Sequence, residues 1–222
     1  NTIVVINSGT PVFMDSWESK VKGLVLAYYP GHEGGNALAS ILFGDVNPSG
    51  KLPFTFIADS SQAPGFLNYM NVDPKINYQE GLYMGYRYID KHNLKPRYPF
   101  GYGLSYTTFT ITGASAKSLG NNTFAVTAKV KNTGTRAGEE VVQAYVSDQN
   151  PGVDKPVKEL KAFSKVMIQP GETKEVTLFL PQRAFMYFNA EKMNWITEPG
   201  KYSVMLGNSS QNIQQTVYVS VK

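Results

Sequence analysis

The hydrophobic positions in residues 1–56 alternate between runs typical of strands and runs typical of helices. Residues 3–6 and 23–29 are continuous apolar runs, which is the pattern of parallel strands covered on both faces of a sheet. Residues 15–23 between them have a helical pattern, with a residue that can cap the first turn and an acidic residue within it. Residues 51–56 are again strand-like, although a proline among them indicates an edge position.

The most regular pattern in this part is an apolar stripe in residues 34–43. Leu38, Ile41 and Leu42 have the helical spacing i, i+3 and i+4, and Gly44 follows as a residue that can end a helix. The order of patterns is therefore β-α-β-α-β, which predicts part of an α/β layered sheet. Because two or three strands cannot cover both faces of such a sheet, we expect further chain upstream of the first residue.

Residues 57–106 are irregular and rich in tyrosine, proline and asparagine. Within them, residues 82–89 are predicted to form one strand. Residues 97–109 are dense in turn-forming and aromatic residues, which predicts a loop that aromatic rings hold in place. We assign residues 1–106 to one domain that includes this irregular region.

Hydrophobic positions in residues 107–222 recur with period two, which predicts strands with one buried face. Phe124, Val126, Ala128 and Val130 fall on one such face, and turn-forming clusters separate roughly seven similar segments. This pattern is typical of an immunoglobulin-like or fibronectin-type sandwich. The predicted fold class is a partial α/β layered sheet followed by an all-β immunoglobulin/fibronectin III-like sandwich, which forms the second domain.

Composition and charge narrow the classes of function. The 222 residues contain no cysteine, which excludes a disulfide framework and a thiolate metal site within this chain. Residues 1–106 contain eight basic and eight acidic residues, and residues 107–222 contain 13 and 9, so the second part accounts for the net charge of +4. The basic residues are dispersed, which argues against nucleic-acid binding. No apolar run approaches the ~18–20 residues of a membrane span.

The glycines that flank the predicted helix 34–43 raise the question of a phosphate-binding loop. Gly31, Gly34 and Gly35 do not have the spacing of a dinucleotide-binding loop. Residues 44–52 resemble a P-loop only loosely, and they follow a helix and precede a strand, the reverse of the required order. We therefore predict that these glycines serve the backbone, which enters a helix close to the sheet and leaves it through a turn.

Nucleophilic and metal chemistry find little support in the sequence. There is no cysteine and no G-x-S-x-G motif, and His32 and His92 both fall in predicted turns. Two histidines with scattered carboxylates are too few for a metal site, so we predict neither a metal nor another cofactor.

Carboxylates are the remaining candidates, since glycoside hydrolysis uses two of them across the scissile bond. The candidates are Asp15, Glu33, Asp45, Glu80 and Asp90. Glu33 is expected at a helix N-terminus, where the helix dipole favours a carboxylate anion over a general acid. We therefore predict that Glu33→Gln reduces stability and does not remove a catalytic acid.

Glu80 lies in an aromatic region, close in sequence to Tyr78, Tyr83 and Arg87. An ion pair between Glu80 and Arg87 and a contact between Glu80 and a sugar are both open at this stage. Glu80, Tyr83 and Arg87 are our candidates for the rim of a substrate site.

Several long motifs, in fixed order, resemble family 3 glycoside hydrolases. The motifs are NTIVVINSGTPV, YYPGHEGGNALASILFGDVNPSGKLPFTF, YQEGLYMGYRYID and YPFGYGLSYTTF, then GTRAGEEVVQAYVSD, PVKELKAFSKVMIQPGETKEVTLFL and PGKYSVMLGNSS. The resemblance covers nearly the whole chain, and it is to β-glucosidases of this family that carry a C-terminal fibronectin-type domain.

The resemblance implies a barrel domain, an α/β sandwich domain and a fibronectin-type domain, of which this chain would hold the C-terminal half of the second and all of the third. It implies retaining hydrolysis of terminal β-linked glucose, with an Asp nucleophile and a Glu acid/base. Both family motifs would lie upstream of this chain, so no catalytic residue is transferred. The implied partners are a β-glucoside or oligosaccharide substrate and the upstream portion of the enzyme, with a homodimer also open. We expect a secreted or periplasmic location, with the signal segment outside this chain.

A different function remains open at this stage, that of a carbohydrate-binding or structural module without catalysis. Its basis is the sandwich together with aromatic residues that a sugar could stack on, if they are exposed. These are Tyr69, Tyr83, Tyr86 and Trp195. Burial of the same rings would remove this basis.

Overall fold

The computed structural model describes residues 1–66 and 77–222 of the chain. Its strands are β1 (Ile3–Ile6), β2 (Gly23–Leu26), β3 (Phe109–Gly120), β4 (Thr123–Asn132), β5 (Gly138–Asp148), β6 (Glu159–Ile168), β7 (Thr173–Leu180), β8 (Met186–Asn189), β9 (Asn194–Thr197), β10 (Gly200–Ser209) and β11 (Asn212–Val221). The described α-helices are α1 (Gly34–Phe43) and α2 (Tyr86–Lys91), and single 3-10 turns lie at Glu18–Lys20, Ser60–Gln62 and Gln182–Phe185.

The first layer contains a parallel pair, β1 and β2, with Ile3 opposite Gly23. The strand prediction for residues 3–6 is confirmed, whereas the second strand ends at Leu26, earlier than predicted. The backbone of Tyr28 has a φ of 53°, which is incompatible with an extended strand.

The helix predicted for residues 34–43 is confirmed as α1. Gly44 follows it in the left-handed conformation, with a φ of 82°, as expected for a helix-ending glycine. At the other end of α1, a Cβ atom added to Gly34 would collide with the Pro30 ring, so a glycine is required for the chain to enter the helix here.

Three predictions of regular structure in the first half are wrong. Residues 15–22 contain only the 3-10 turn at Glu18–Lys20, which has no side-chain cap, and Asp15 and Glu18 form ion pairs with Arg97. Residues 51–56 form no strand, and Phe56 makes one isolated bridge to Tyr98.

The third wrong prediction is the strand at residues 82–89. The chain instead turns at Gly85, which has a φ of 56°, and continues as helix α2. The apolar side chain of Ile89 is buried on the inner face of this helix.

The second half is a sandwich of two antiparallel sheets, as the period-two pattern predicts. One sheet has the order β11-β10-β5-β6 and the other has the order β3-β4-β7. β8 and β9 form a separate hairpin. The inward side chains of both sheets make one core, in which Val126, Val142 and Leu206 have no exposed surface. This layout confirms the predicted fold class.

The two halves differ sharply in burial. The described residues before 107 include only four buried hydrophobic side chains, namely Met14, Phe56, Tyr83 and Ile89. Tyr29, which precedes α1, and Phe43, the last residue of α1, are 79% and 86% exposed. The α/β layer therefore has apolar surface that the described chain does not cover.

Candidate functional site

The predicted rim residues lie in one stretch, residues 77–91, which we call the rim segment. The Tyr83 hydroxyl donates a hydrogen bond to Asp154 Oδ1 at 2.5 Å and lies 3.2 Å from the Lys155 carbonyl oxygen. Tyr83 is 8% exposed, and this burial, together with the bond to Asp154, raises the pKa of its hydroxyl. Lys91 lies over the Tyr83 ring, with its ammonium nitrogen 3.5 Å from the ring centroid.

The helix that ends the rim segment is held by two ion pairs. Arg87 contacts Glu159 at 2.7 Å, and Asp90 contacts Lys158 at 2.6 Å with both side chains nearly buried. Burial raises the pKa of Asp90, and the hydrogen bond from Lys158 opposes that shift. Arg87 thus pairs with the sandwich, and an ion pair between Arg87 and Glu80 does not form.

An aromatic contact continues this interface into the sandwich. The Tyr86 ring lies 4.9 Å from that of Phe100 and 6.0 Å from that of Tyr145, centroid to centroid. The Tyr86 hydroxyl accepts a hydrogen bond from the Leu160 backbone N–H at 3.0 Å. Tyr145 is fully buried, and its hydroxyl donates to Gln143 Oε1 at 2.5 Å.

A second polar contact joins the two halves beside Lys51. Lys51 forms an ion pair of 2.7 Å with the nearly buried Glu140 and donates to the Gly103 carbonyl at 3.0 Å. Asn208 adds a hydrogen bond to the other oxygen of Glu140 at 3.1 Å. The buried carboxylate therefore has partners from both halves of the chain.

The aromatic loop of residues 97–109 is held by rings, as predicted. Tyr98 stacks on Tyr102, with ring centroids 5.2 Å apart, and its ring edge meets Phe56. The Tyr98 hydroxyl donates to Glu18, and Arg97 forms an ion pair with the same carboxylate at 2.6 Å.

Many of the described carboxylates are held in ion pairs. At two places two carboxylates share one cation: Asp15 and Glu18 share Arg97, and Asp148 and Glu198 share Lys155. In residues 1–66 and 77–222 no group of three metal-ligating side chains comes together, and no helix is long and apolar enough to cross a membrane.

Two predicted acids remain to be placed. Glu33 lies at the start of α1 and accepts a hydrogen bond from Asn36 Nδ2 at 2.6 Å. Glu80 is half-buried, and its carboxylate has no hydrogen bond or ion pair with any residue that the structure describes.

The aromatic residues expected to stack on sugars are mostly covered. Tyr83 is buried, Tyr86 packs against Phe100, and Tyr69 lies outside the described residues. Trp195 is 39% exposed, and the Arg183 guanidinium carbon lies 3.2 Å from its ring centroid. The described rings therefore do not form one open platform.

Sequence reasoning missed the residues of the sandwich that hold the rim segment. They are Asp154, Lys155, Lys158 and Glu159. The first three lie in the β5–β6 loop (residues 149–158), whose sequence is only a turn signal. Its partners are about 70 positions earlier in the chain, so no local pattern connects the two stretches.

Comparison with known protein families matches both halves of the chain. Residues 1–106 match the glycosyl hydrolase family 3 C-terminal domain, and residues 140–210 match the fibronectin type III-like domain.

Similar curated proteins are glycosidases by name. The thermostable beta-glucosidase B of Acetivibrio thermocellus is 46% identical over 216 residues, which are 96% of this chain and 28% of that protein. The exo-alpha-(1->6)-L-arabinopyranosidase of Bifidobacterium longum is 40% identical over 100% of this chain and 29% of that protein. The chain thus spans less than a third of the length of these relatives.

Solved structures agree with this assignment. The GH3 beta-glucosidase of Bifidobacterium adolescentis superposes with a TM-score of 0.94 at 39% identity, over 99% of this chain and 32% of that chain. DesR, a beta-glucosidase from Streptomyces venezuelae in complex with D-glucose, superposes with a TM-score of 0.95 at 40% identity, over 100% and 29% respectively. The two family matches, the identities and the shared fold lead to one conclusion: this chain belongs to glycoside hydrolase family 3 and carries its C-terminal domain together with a fibronectin type III-like domain.

Proposed function

We propose that this chain is the C-terminal part of a retaining β-glucosidase that hydrolyses terminal non-reducing β-D-glucosyl residues. An upstream barrel portion of the same enzyme supplies the nucleophile and the acid/base. The proposal is supported by the names of the relatives and by the share of their length, about 28%, that the chain spans.

The observation that carries the proposal is how the described carboxylates are paired with cations. A retaining site needs two carboxyl groups about 5–5.5 Å apart, one of which must hold a proton. The described carboxylates that share a cation, Asp15 and Glu18 at Arg97 and Asp148 and Glu198 at Lys155, are each held in an ion pair. Because these carboxylates are engaged in contacts within the fold, we place the reactive acids in the upstream portion of the enzyme.

The uncovered surface of the α/β layer supports the same proposal. Phe13, Tyr29 and Phe43 are exposed, and they give this layer apolar surface of the kind that marks a contact with other protein. Upstream strands and the barrel portion would bury these side chains, and the two-stranded sheet would become part of a larger one.

Within this enzyme, we place the rim segment at the edge of the substrate site, with Glu80 as its sugar-contacting residue. A carboxylate that has no partner among the described residues can accept hydrogen bonds from sugar hydroxyls. Tyr83 and Arg87 belong to the same rim, and they hold it through Asp154 and Glu159.

The test is hydrolysis of p-nitrophenyl β-D-glucopyranoside by three samples: this chain, the upstream portion, and the two mixed or fused. We expect turnover only when both portions are present. Turnover by this chain alone would refute the proposal. A parallel assay with p-nitrophenyl α-L-arabinopyranoside is needed because one relative is named for that substrate. Faster hydrolysis of the arabinoside would change the proposed substrate to an α-L-arabinopyranoside. The proposal that the upstream portion supplies the catalytic residues would still hold.

The contribution of Glu80 is tested separately in the complete enzyme. We expect Glu80→Gln to raise KM by roughly 10- to 150-fold, since a hydrogen bond to a charged group contributes about 1.5–3 kcal/mol, and to leave kcat nearly unchanged. Glu175→Gln, on an exposed position of β7, is the matched control. An unchanged KM in Glu80→Gln would remove Glu80 from the rim.

A further inference from the structure

Within the rim segment, residues 81–85 contain one buried side chain between two glycines. Gly81 and Gly85 have φ values of 53° and 56°, a backbone region that glycine enters without steric cost. Of residues 81–85, only Tyr83 is buried, and its neighbours Leu82 and Met84 are exposed. Among the described residues, Tyr83 therefore supplies the buried contact that holds this stretch.

The partners of that anchor come from the other half of the chain. The Tyr83 hydroxyl is bonded to Asp154 and lies beside the Lys155 carbonyl, both in the β5–β6 loop. Lys91 approaches the same carboxylate at 3.4 Å and covers the Tyr83 ring. The hydrogen bond from Tyr83, assisted by the one from Lys91, lowers the pKa of Asp154, so this carboxyl group is an anion near neutral pH.

The anchor lies three residues from Glu80, and the chain between them contains one of the two glycines. The Tyr83 backbone N–H donates a hydrogen bond to the Glu80 carbonyl at 2.9 Å, so a displacement of Tyr83 reaches Glu80 through this bond. The ion pairs of Arg87 and Asp90 act after Gly85, on helix α2.

We propose that Tyr83 and Asp154 are positioning residues through which the fibronectin type III-like half sets the place of Glu80, and with it the affinity for substrate. The inference rests on the proposed function of Glu80. The sandwich thereby affects substrate binding through the rim segment and does not itself touch the sugar.

The experiment uses the complete enzyme and two matched pairs of variants. Tyr83→Phe removes the hydroxyl and keeps the ring, and its control is Tyr218→Phe, whose ring on β11 likewise lies under a lysine, at 4.3 Å. Asp154→Ala removes the exposed carboxylate. Its control is Glu172→Ala, which removes an ion pair of 3.5 Å with Lys174 on the surface of the sandwich.

For Tyr83→Phe and Asp154→Ala we expect KM for the β-glucoside to rise by roughly 3- to 10-fold, corresponding to the loss of one hydrogen bond, with kcat within about twofold. The melting temperature should match that of the controls. The double variant should be no worse than either single variant, because both remove the same bond. Asp154→Asn keeps an acceptor oxygen and should recover part of the affinity.

The decisive measurement is the KM of the double variant Tyr83→Phe/Glu80→Gln, compared with that of Glu80→Gln alone. If Tyr83 acts through Glu80, the second substitution adds no further rise in KM. Additive effects, an unchanged KM, or losses that track the melting temperature would overturn the inference. An inactive wild-type enzyme would instead overturn the proposed function, so the two failures are distinguishable.

Discussion

At the scale of single residues, Gln143, at the junction of the two halves, makes three hydrogen bonds that a substitution would lose. It is 3% exposed, its Nε2 donates to the carbonyls of Gly101 and Asn208, and its Oε1 accepts from Tyr145. One buried amide thus satisfies three polar groups, and its bonds to Gly101 and Tyr145 are buried. The sequence could not have shown this, because Gln143 occupies an ordinary position in a strand with period two.

We predict that Gln143→Leu destabilises the chain by about 2–4 kcal/mol, because it leaves buried carbonyl and hydroxyl groups without partners. Urea unfolding followed by tryptophan fluorescence measures the loss. Gln182→Leu is the control, since Gln182 is exposed and makes one long contact, of 3.5 Å, with Thr197. Equal losses in the two variants would contradict this account of the junction.

At the scale of elements, prediction succeeded where burial alone determines structure. The sandwich strands follow from alternate inward side chains such as Phe124, Val126 and Val130, whose pattern needs no knowledge of partners. The helix α1 follows from its stripe and from Gly44. Helix α2 did not follow, because its formation depends on a glycine turn and on partners in the distant β5–β6 loop. The assignment of Glu80, Tyr83 and Arg87 to a substrate rim stays a prediction, and the residues that hold Tyr83 and Arg87 in place could not be predicted from the sequence.

The docking of α2 gives a second prediction, for the nearly buried pair of Asp90 and Lys158. Lys158→Met should cost about 3 kcal/mol or more at neutral pH, because it leaves a carboxylate buried without its cation. Burial already raises the pKa of Asp90, so an unpaired Asp90 is best tolerated when protonated. The stability of the variant relative to the wild type should therefore fall as pH rises through the pKa of Asp90.

Urea titrations of this variant at several pH values measure the effect. The double variant Lys158→Met/Asp90→Leu should recover most of the stability, since two apolar side chains can replace a buried pair. Lys165→Met removes an exposed pair with Glu139 and should cost less than about 1 kcal/mol. A pH-independent loss in Lys158→Met would show that the buried charge is not its cause.

At the scale of the whole molecule, the two halves differ in how much hydrophobic core each contains. The sandwich contains the complete hydrophobic core cluster, whereas the described α/β layer has four buried hydrophobic side chains. The layer instead takes support from the sandwich, through Lys51 with Glu140 and through the rim segment.

We predict that residues 107–222 unfold cooperatively as an isolated fragment and that residues 1–106 do not. Circular dichroism with urea, together with limited proteolysis, distinguishes the two outcomes. A fragment of residues 140–210 is the control, because it lacks β3 and β4 and so loses most of one sheet. Cooperative unfolding of residues 1–106 alone would show that the layer is self-sufficient.

The pairing of the rim segment with the β5–β6 loop and the first residue of β6 also has a consequence for how members of this family diverge. Asp154 with Lys91, Lys158 with Asp90 and Glu159 with Arg87 are three charge pairs between two stretches of one gene. A reversal of sign on one side alone would place like charges together, so lineages that alter one stretch should carry compensating changes in the other. Anyone building a chimaera from two such enzymes should therefore transfer both stretches from the same parent.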